Sequence, residues 1–374
     1  MKRRHKGFLI NLLLVLGSLL LVGIAGELMF RFLGGASFTA KYDKLPQGPL
    51  CRYDPILGWS GIPYKKGSLT GDDDMAVMHV AMNGEGFFDS QHQVTKPPGK
   101  KRILFLGDSF TIGFGVSRKN RYTDRIGEYL SPEYEVINMG MWGWSTDQEL
   151  LVLKEKGLKY SPDVVVLAMF VDDISNCHLF SVNEGLFLKP RFFLAGENAL
   201  KLGNVPVADN RTKSLLYNIM TTRFYRLRNR LEMGKEFRKL GFFAVFDKNF
   251  LKEYKYTLPL RLVSEVHGVS KSKQSKFLLV IIPYMDQLLD KKIYASGKGA
   301  FGIPPERLDL GLPQKVLKLY CKKEGIPVLD LLPVFRVRFS REKLFFRRDL
   351  HWTEAGHRLA AKSIIQHLRQ LDYL

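Results

Sequence analysis

A serine, a histidine and a carboxylate stand where folding can assemble them into an activated nucleophile. Ser109 follows the apolar run Ile103-Leu104-Phe105-Leu106 and the pair Gly107-Asp108. Far along the chain, Asp349-Leu350-His351-Trp352 supplies an imidazole with a carboxylate two residues before it. A serine hydroxyl attacks weakly until a neighbouring base takes its proton, and that base works best when a third group orients it. His351 is the general base in this reading and Asp349 its orienting partner. In an extended segment positions 349 and 351 project to the same face, so a turn or kink must redirect one side chain onto the other. The plainer alternatives are a serine that only caps a helix and a surface Asp beside a core-edge His. His357, in the opening of the last helix, reads as structural, and Trp352 as packing for the histidine loop.

Acyl transfer also needs donors for the oxyanion. The backbone N–H of Ser109 sits at a strand-to-helix junction, where unpaired N–H groups favour negative charge. Gly143, in Asn138-Met139-Gly140-Met141-Trp142-Gly143-Trp144, lets the backbone approach a substrate closely. Trp142 and Trp144 either line an acyl pocket or pack as ordinary core residues. A third donor is expected after the apolar strand Val164 to Phe170, where the chain reads Val171-Asp172-Asp173-Ile174-Ser175-Asn176.

Other chemistries lack their motifs. Thr111 stands where a Gly-x-Ser-x-Gly elbow would have its second glycine. The glycines at 107, 113 and 115 make no dinucleotide fingerprint, and no phosphate-loop lysine follows. Cys51, Cys177 and Cys321 are too few and too scattered for a metal centre or a disulfide scaffold. No cofactor and no metal are expected.

These residues need a sheet to hold them. Arg102 to Leu106, Glu135 to Asn138, Val164 to Phe170, Phe277 to Ile282 and Ile326 to Leu329 read as short apolar strands. Helices are expected at Tyr122 to Leu130, Gln148 to Leu158 and Glu354 to Leu371. Strands alternating with helices predict a three-layer α/β/α sandwich with a mostly parallel sheet. Residues 31–98 form a lead-in segment on the catalytic fold, with an extended stretch from Ala76 to Met82 and a turn at Gly84/Gly86. Residues 99–374 form the α/β domain. An insertion at about 178–262 breaks the rhythm. Its arginine- and aromatic-rich stretch from Thr221 to Leu231 is either a lid or membrane-facing patch, or an amphipathic helix with arginines in solvent.

Phe8 to Gly26 is a nearly unbroken apolar run, preceded by Lys2, Arg3, Arg4 and Lys6. It is long enough to reach across most of a bilayer core of about 30 Å. The basic start keeps the amino terminus in the cytoplasm and sends the rest out, so residues 1–30 read as a basic tip and a single transmembrane anchor. A cleaved leader is the alternative, with small residues at Gly23 and Ala25, but its apolar core is usually shorter, roughly 7–15 residues. The formal charge is +20 over 374 residues. Nucleic acid is the usual partner of such a balance, and an exported position argues against it. Anionic head groups and acidic envelope glycans are the counter-charges available there, and the plainer reading is a solvated basic surface.

With these motifs in place, the chain resembles the SGNH (GDSL-type) hydrolase superfamily, particularly its membrane-anchored bacterial members. Gly107-Asp108-Ser109 matches the first family block. Asn138 through Gly143 looks like the second, Asp172-Asp173 stands where the third has Asn-Asp, and Asp349-Leu350-His351 resembles the last in a shortened form. Asp54 to Trp59 and Asn83 to Phe87 resemble the family's lead-in. The resemblance implies a serine esterase or lipase-like hydrolase acting on an acyl ester of a lipid or glycan, with Ser109, His351 and Asp349 catalytic. It further implies an oxyanion hole of Ser109, Gly143 and the residue at 172, with Asp108 and Asp173 supporting. Relatives with the short Asp-x-His form also transfer or remove acyl groups on envelope polysaccharides, and a non-catalytic glycan- or lipid-binding scaffold is a further alternative.

Asp172 departs from that pattern, because an ionised Asp offers no donor. Losing one oxyanion donor costs about 2.7–4 kcal/mol. Three remedies are open: protonation of Asp172 under like-charge pressure from Asp173, Asn176 serving as the donor, or a hole made by Ser109 and Gly143 alone.

Overall fold

The computed structural model describes residues 2–43, 50–71, 75, 77–182, 187–196, 199–207, 215–252, 255–289 and 302–374. Helix α1 spans Lys2–Asp43 and contains an apolar stretch, Ile10–Met29, of 20 residues with none of it buried. That stretch is long and apolar enough to cross a membrane.

Helix α1 runs past the expected end of the anchor at residue 30, so residues 31–43 of the expected lead-in are helical; two hairpins follow. Strands β1 (Cys51–Asp54) and β2 (Gly58–Gly61) pair antiparallel, as do β3 (Lys66–Leu69) and β4 (Met78–Ala81). The extended stretch expected from Ala76 to Met82 is thus centred on β4; residue 76 and residues 72–74 lie outside the described set.

The central sheet has five parallel strands: β5 (Lys101–Gly107), β6 (Tyr134–Gly140), β7 (Val164–Phe170), β12 (Lys276–Ile282) and β13 (Val328–Asp330). Their order across the sheet is β13-β12-β7-β5-β6. Period-two alternation divides their side chains between two cores. Leu104, Leu106, Val165, Leu167, Leu279 and Ile281 face one layer. That layer holds α4 (Thr146–Val152), α8 (Thr257–Ser272) and α9 (Leu312–Glu324), which add Leu150, Leu262, Val266 and Leu317. Ile103, Phe105, Val164, Val166, Leu278 and Val280 face the other. There α3 (Tyr122–Leu130), α10 (Leu332–Phe339) and α11 (Glu354–Gln370) add Ile126, Phe335, Ile364 and Leu368. Each such side chain contributes about 1.5–3 kcal/mol on burial. The result is the expected α/β/α sandwich.

The helix expected from Gln148 to Leu158 is shorter. Regular α4 ends at Val152 and passes into a wider π turn, Leu153–Gly157, and a 3₁₀ turn, Leu158–Tyr160. Between β7 and α8 the chain forms α5 (Asp173–Asn176), two small hairpins, the long α6 (Leu215–Leu240) and α7 (Lys248–Lys252). The hairpins are β8 (Ser181–Val182) with β9 (Phe187–Leu188), and β10 (Arg191–Ala195) with β11 (Ala199–Gly203). From β5 the chain moves to its neighbour β6, then returns to the other side of β5 as β7. The carboxyl ends of β5 and β7 therefore flank the switch in strand order, where open α/β sheets leave a crevice.

Candidate active site

Ser109 opens α2 (Ser109–Ile112) directly after β5. The Asp108 carboxylate caps this turn, accepting from the Phe110 N–H at 2.9 Å. The short helix lies against the strand end: a side chain at Gly107 would collide with Thr111 and the Ala168 carbonyl. Asn138, on β6, holds α2 from beneath, donating to the Thr111 carbonyl at 2.6 Å and to Thr123 Oγ1 at 2.8 Å. Its side-chain oxygen accepts from Gly140 N at 2.8 Å.

The histidine arrives from the other end of the chain. His351 Nε2 lies 2.7 Å from Ser109 Oγ. Its Nδ1 hydrogen-bonds Asp349 Oδ1. The kink that brings Asp349 onto His351 is Leu350, whose φ is +70°. A left-handed residue between them turns the carboxylate onto the ring edge. The loop is pinned where Phe346 N donates to the His351 carbonyl at 2.8 Å and where Phe345 pairs with Trp352. The imidazole rests between Phe110 and Phe114, at centroid distances of 4.8 and 5.1 Å. Trp352 is buried under the loop against Phe110 and Phe335. His357 is buried nearby, stacked on Tyr122, and accepts from the Tyr122 N–H at 3.3 Å. Burial lowers its pKa to about 3, so it stays neutral and structural.

Ser109, His351, Asp349, Asp108, Gly143, Asp172, Asp173 and Asn176 all line one cavity of about 280 Å³. Gly143 adopts φ +68°, and the turn that carries it is tied to β5 by Met141 N donating to the Gly107 carbonyl at 3.1 Å. Trp144 lines the cavity and Trp142 does not. The indoles of Trp59 and Trp144 knit the lead-in to this turn: Trp59 donates to the Trp142 backbone carbonyl at 2.9 Å, and Trp144 to the Trp59 carbonyl at 3.2 Å. Phe170 and Tyr284 complete the apolar wall.

Asn176 and Asp172 differ from expectation. The Asn176 amide donates to Asp172 Oδ2 at 2.8 Å, and Ser175 Oγ donates to Oδ1 at 2.9 Å. Asn176 thus commits one amide N–H to Asp172 while lining the same cavity. Burial raises the Asp172 pKa, so desolvation takes the place of the expected pressure from Asp173. Asp173 turns inward, accepting from Phe170 N at 3.0 Å. Its pKa is pushed well up by burial and then by the charges of Glu149, Asp108 and Asp172.

A set of buried charges under the site carries no local sequence signal. Asp108 is raised to about 7 by burial, and its charge adds to the rise at Glu149. Burial raises Glu149 well above the carboxylate range, and its oxygens have no hydrogen-bond partner among the described residues. Lys189, fully buried in the insertion, donates to Asp147 at 2.7 and 2.8 Å, to Ser145 Oγ at 2.7 Å and to the Asn176 carbonyl at 2.9 Å. Asp147, Glu149 and Lys189 belong to no motif singled out in the sequence. Only their long-range meeting gives them a role. A second cavity of about 230 Å³ lies by Asp89, Arg118, Arg121 and Asp124, whose charges already pair with one another.

Residues 305–374, which include Asp349 and His351, match the family model described as "SGNH hydrolase-like domain, acetyltransferase AlgX". The matched stretch covers about a fifth of the chain and holds the histidine loop and the last helix. Solved structures similar to this chain include a lipase/acylhydrolase from Enterococcus faecalis, at 18% identity, 72% of this chain, 96% of that chain and TM-score 0.38. A catalytic mutant of an acetylxylan esterase from Geobacillus stearothermophilus is similar at 14% identity, 73% and 96% coverage and TM-score 0.40. A member of the lipolytic G-D-S-L family from Veillonella parvula is similar at 13% identity, 71% and 97% coverage and TM-score 0.39. No curated protein sequence matches.

Proposed function

We propose that this SGNH-like chain is a membrane-anchored, extracytoplasmic serine enzyme that cleaves or transfers a short acyl ester through a covalent Ser109 intermediate. The observation that carries the reading is the 2.7 Å approach of His351 Nε2 to Ser109 Oγ, with Asp349 on the opposite ring nitrogen. His351 takes the Ser109 proton as Oγ attacks the ester carbonyl. The N–H groups of Ser109 and Gly143 hold the resulting oxyanion. The tetrahedral intermediate collapses as His351 returns the proton to the departing alkoxide. His351 then takes a proton from water or a sugar hydroxyl as it attacks the acyl-enzyme, and returns that proton to Ser109 Oγ as the acyl–Oγ bond breaks.

A cavity of about 280 Å³ suits a short acyl group better than a long chain. Transfer to or from envelope polysaccharide is the favoured setting, because the matched family model is described as an acetyltransferase. The anchor is the apolar stretch Ile10–Met29 with Lys2, Arg3, Arg4 and Lys6 before it.

A serine-directed fluorophosphonate should label the full chain at Ser109, and Ser109→Ala should lose both label and turnover of an aryl acetate. Adding an acetylated saccharide donor and an unacetylated acceptor then separates transfer from hydrolysis by product. Full ester turnover by Ser109→Ala would end the proposal. Saccharide binding without labelling would instead mark a non-catalytic scaffold.

A further inference from the structure

We infer that the outward face of α6 lies in an anionic lipid surface. On α6 the positions that face the fold are Ile219, Thr222 and Asn229, all buried. Asn229 fastens the helix, accepting from Phe180 N at 2.7 Å and donating to the Ser181 carbonyl at 2.9 Å. On the opposite side Tyr217, Met220, Phe224, Leu227 and Leu231 recur at steps of three and four, one face of a 3.6-residue helix. Their exposure runs from 46% at Tyr217 to 65% at Leu231. Fourteen residues of rise make this an unbroken apolar stripe about 21 Å long. A soluble surface does not leave so many large apolar side chains aligned in water.

Charge selects the occupant. Between Leu215 and Leu231 there is no Asp or Glu, while Arg223 and Arg228 border the stripe at helical spacing, Arg228 also lying over the Phe180 ring, and Arg226 and Arg230 stand further round the helix. An apolar stripe set among arginines is complementary to acyl chains beneath anionic head groups. A second copy of the helix would bring arginines against arginines. Helix α6 also approaches α1, which carries the membrane-length stretch Ile10–Met29. The inference rests on the anchored part of the function proposed above and extends it: the insertion rides on the bilayer and holds the enzyme against the surface from which it emerges.

The test uses the full chain, one copy per lipid nanodisc, in phosphatidylcholine with or without phosphatidylglycerol. Phe224→Cys and Leu227→Cys carry a polarity-sensitive fluorophore; the native Cys51, Cys177 and Cys321 are buried and stay unlabelled. Lys362→Cys, on α11 across the sheet, is the control. Emission at 224 and 227 should shift to the blue in anionic discs and be quenched by nitroxide lipids, with no change at 362. Arg223→Glu with Arg230→Glu should remove the shift. Water-like emission at 224 and 227 in anionic discs overturns the inference, as does protection that appears only with two copies per disc. If alkaline carbonate strips the chain from membranes, the anchored reading fails separately. Anionic vesicles added to the same labelled chain then decide: a blue shift supports the lipid-facing stripe, and none overturns it.

Discussion

The Asn176 side-chain amide reaches back one helical turn to Asp172 and donates to its carboxylate at 2.8 Å. The residue that would serve as a third oxyanion donor is thereby bound to the residue that cannot donate when ionised. Ser109 and Gly143 line the same cavity, and the function proposed above assigns the oxyanion to their backbone N–H groups.

Replacing Asp172 with Asn adds an amide donor at the cavity wall. Turnover should rise about tenfold, equivalent to about 1.4 kcal/mol of recovered transition-state stabilisation. Steady-state kcat on an aryl acetate is the measurement. A fall in kcat would mean that Asp172 already donates as a protonated acid.

Asp349→Asn keeps the size of the side chain and removes the negative charge behind His351. The imidazole loses its orienting acceptor, so kcat should fall on the order of 10⁴-fold with the fold intact. Unchanged circular dichroism and a lost rate together make the case. An unaffected rate would remove Asp349 from the mechanism.

Leu350 is held at φ +70°, which costs a non-glycine residue roughly 1–2 kcal/mol. Leu350→Gly should raise stability by up to about 1 kcal/mol and retain activity. Leu350→Val, branched at Cβ, should lower both, because the kink that joins Asp349 to His351 then opens. Thermal unfolding and kcat of the pair of variants check this.

Lys189→Met leaves Asp147 buried without its cation. Breaking such a pair costs about 3–5 kcal/mol, and adding Asp147→Leu should restore much of it. Denaturant unfolding of the single and double variants is the measurement. Turnover of Lys189→Met should fall as well, because Lys189 Nζ holds Ser145 and the Asn176 carbonyl beside the cavity.

Asp108 gives a pH dependence with a definite sign. Its folded pKa is raised from 3.8 to about 7. Below about pH 4 the carboxyl is protonated in both folded and unfolded chains, and the stability is fully present. As pH rises towards 7 the unfolded chain releases its proton first, so stability is lost across that window and levels off above it. Asp108→Asn keeps an oxygen to cap α2 and removes this titration. The gap in melting temperature between variant and parent should therefore widen from about pH 4 to pH 7 and then stay constant. A gap that narrows over that range would contradict the buried-acid account.

Local chemistry made much of this molecule legible. The runs Ile103 to Leu106, Val164 to Phe170 and Phe277 to Ile282 announce buried parallel strands, because only a strand covered on both faces tolerates apolar side chains on both. Residue type also singles out Ser109 and the Asp349/His351 pair. Asp172 stands out as a departure from the resembled pattern, and Phe8 to Gly26 as a segment of membrane length.

Tertiary structure decided the rest, since each remaining relationship depends on groups with no neighbourhood in sequence. His351 reaches Ser109 only because the last loop folds over the carboxyl end of β5, and Asp349 meets the ring only through a left-handed Leu350. The Asp172–Asn176 clamp needs the short turn α5. Lys189 finds Asp147 across 42 positions in a core with little water to screen either charge. A residue's type limits what it can do, but hydrogen bonds and ion pairs act over a few ångströms, and those separations exist only after the chain has folded.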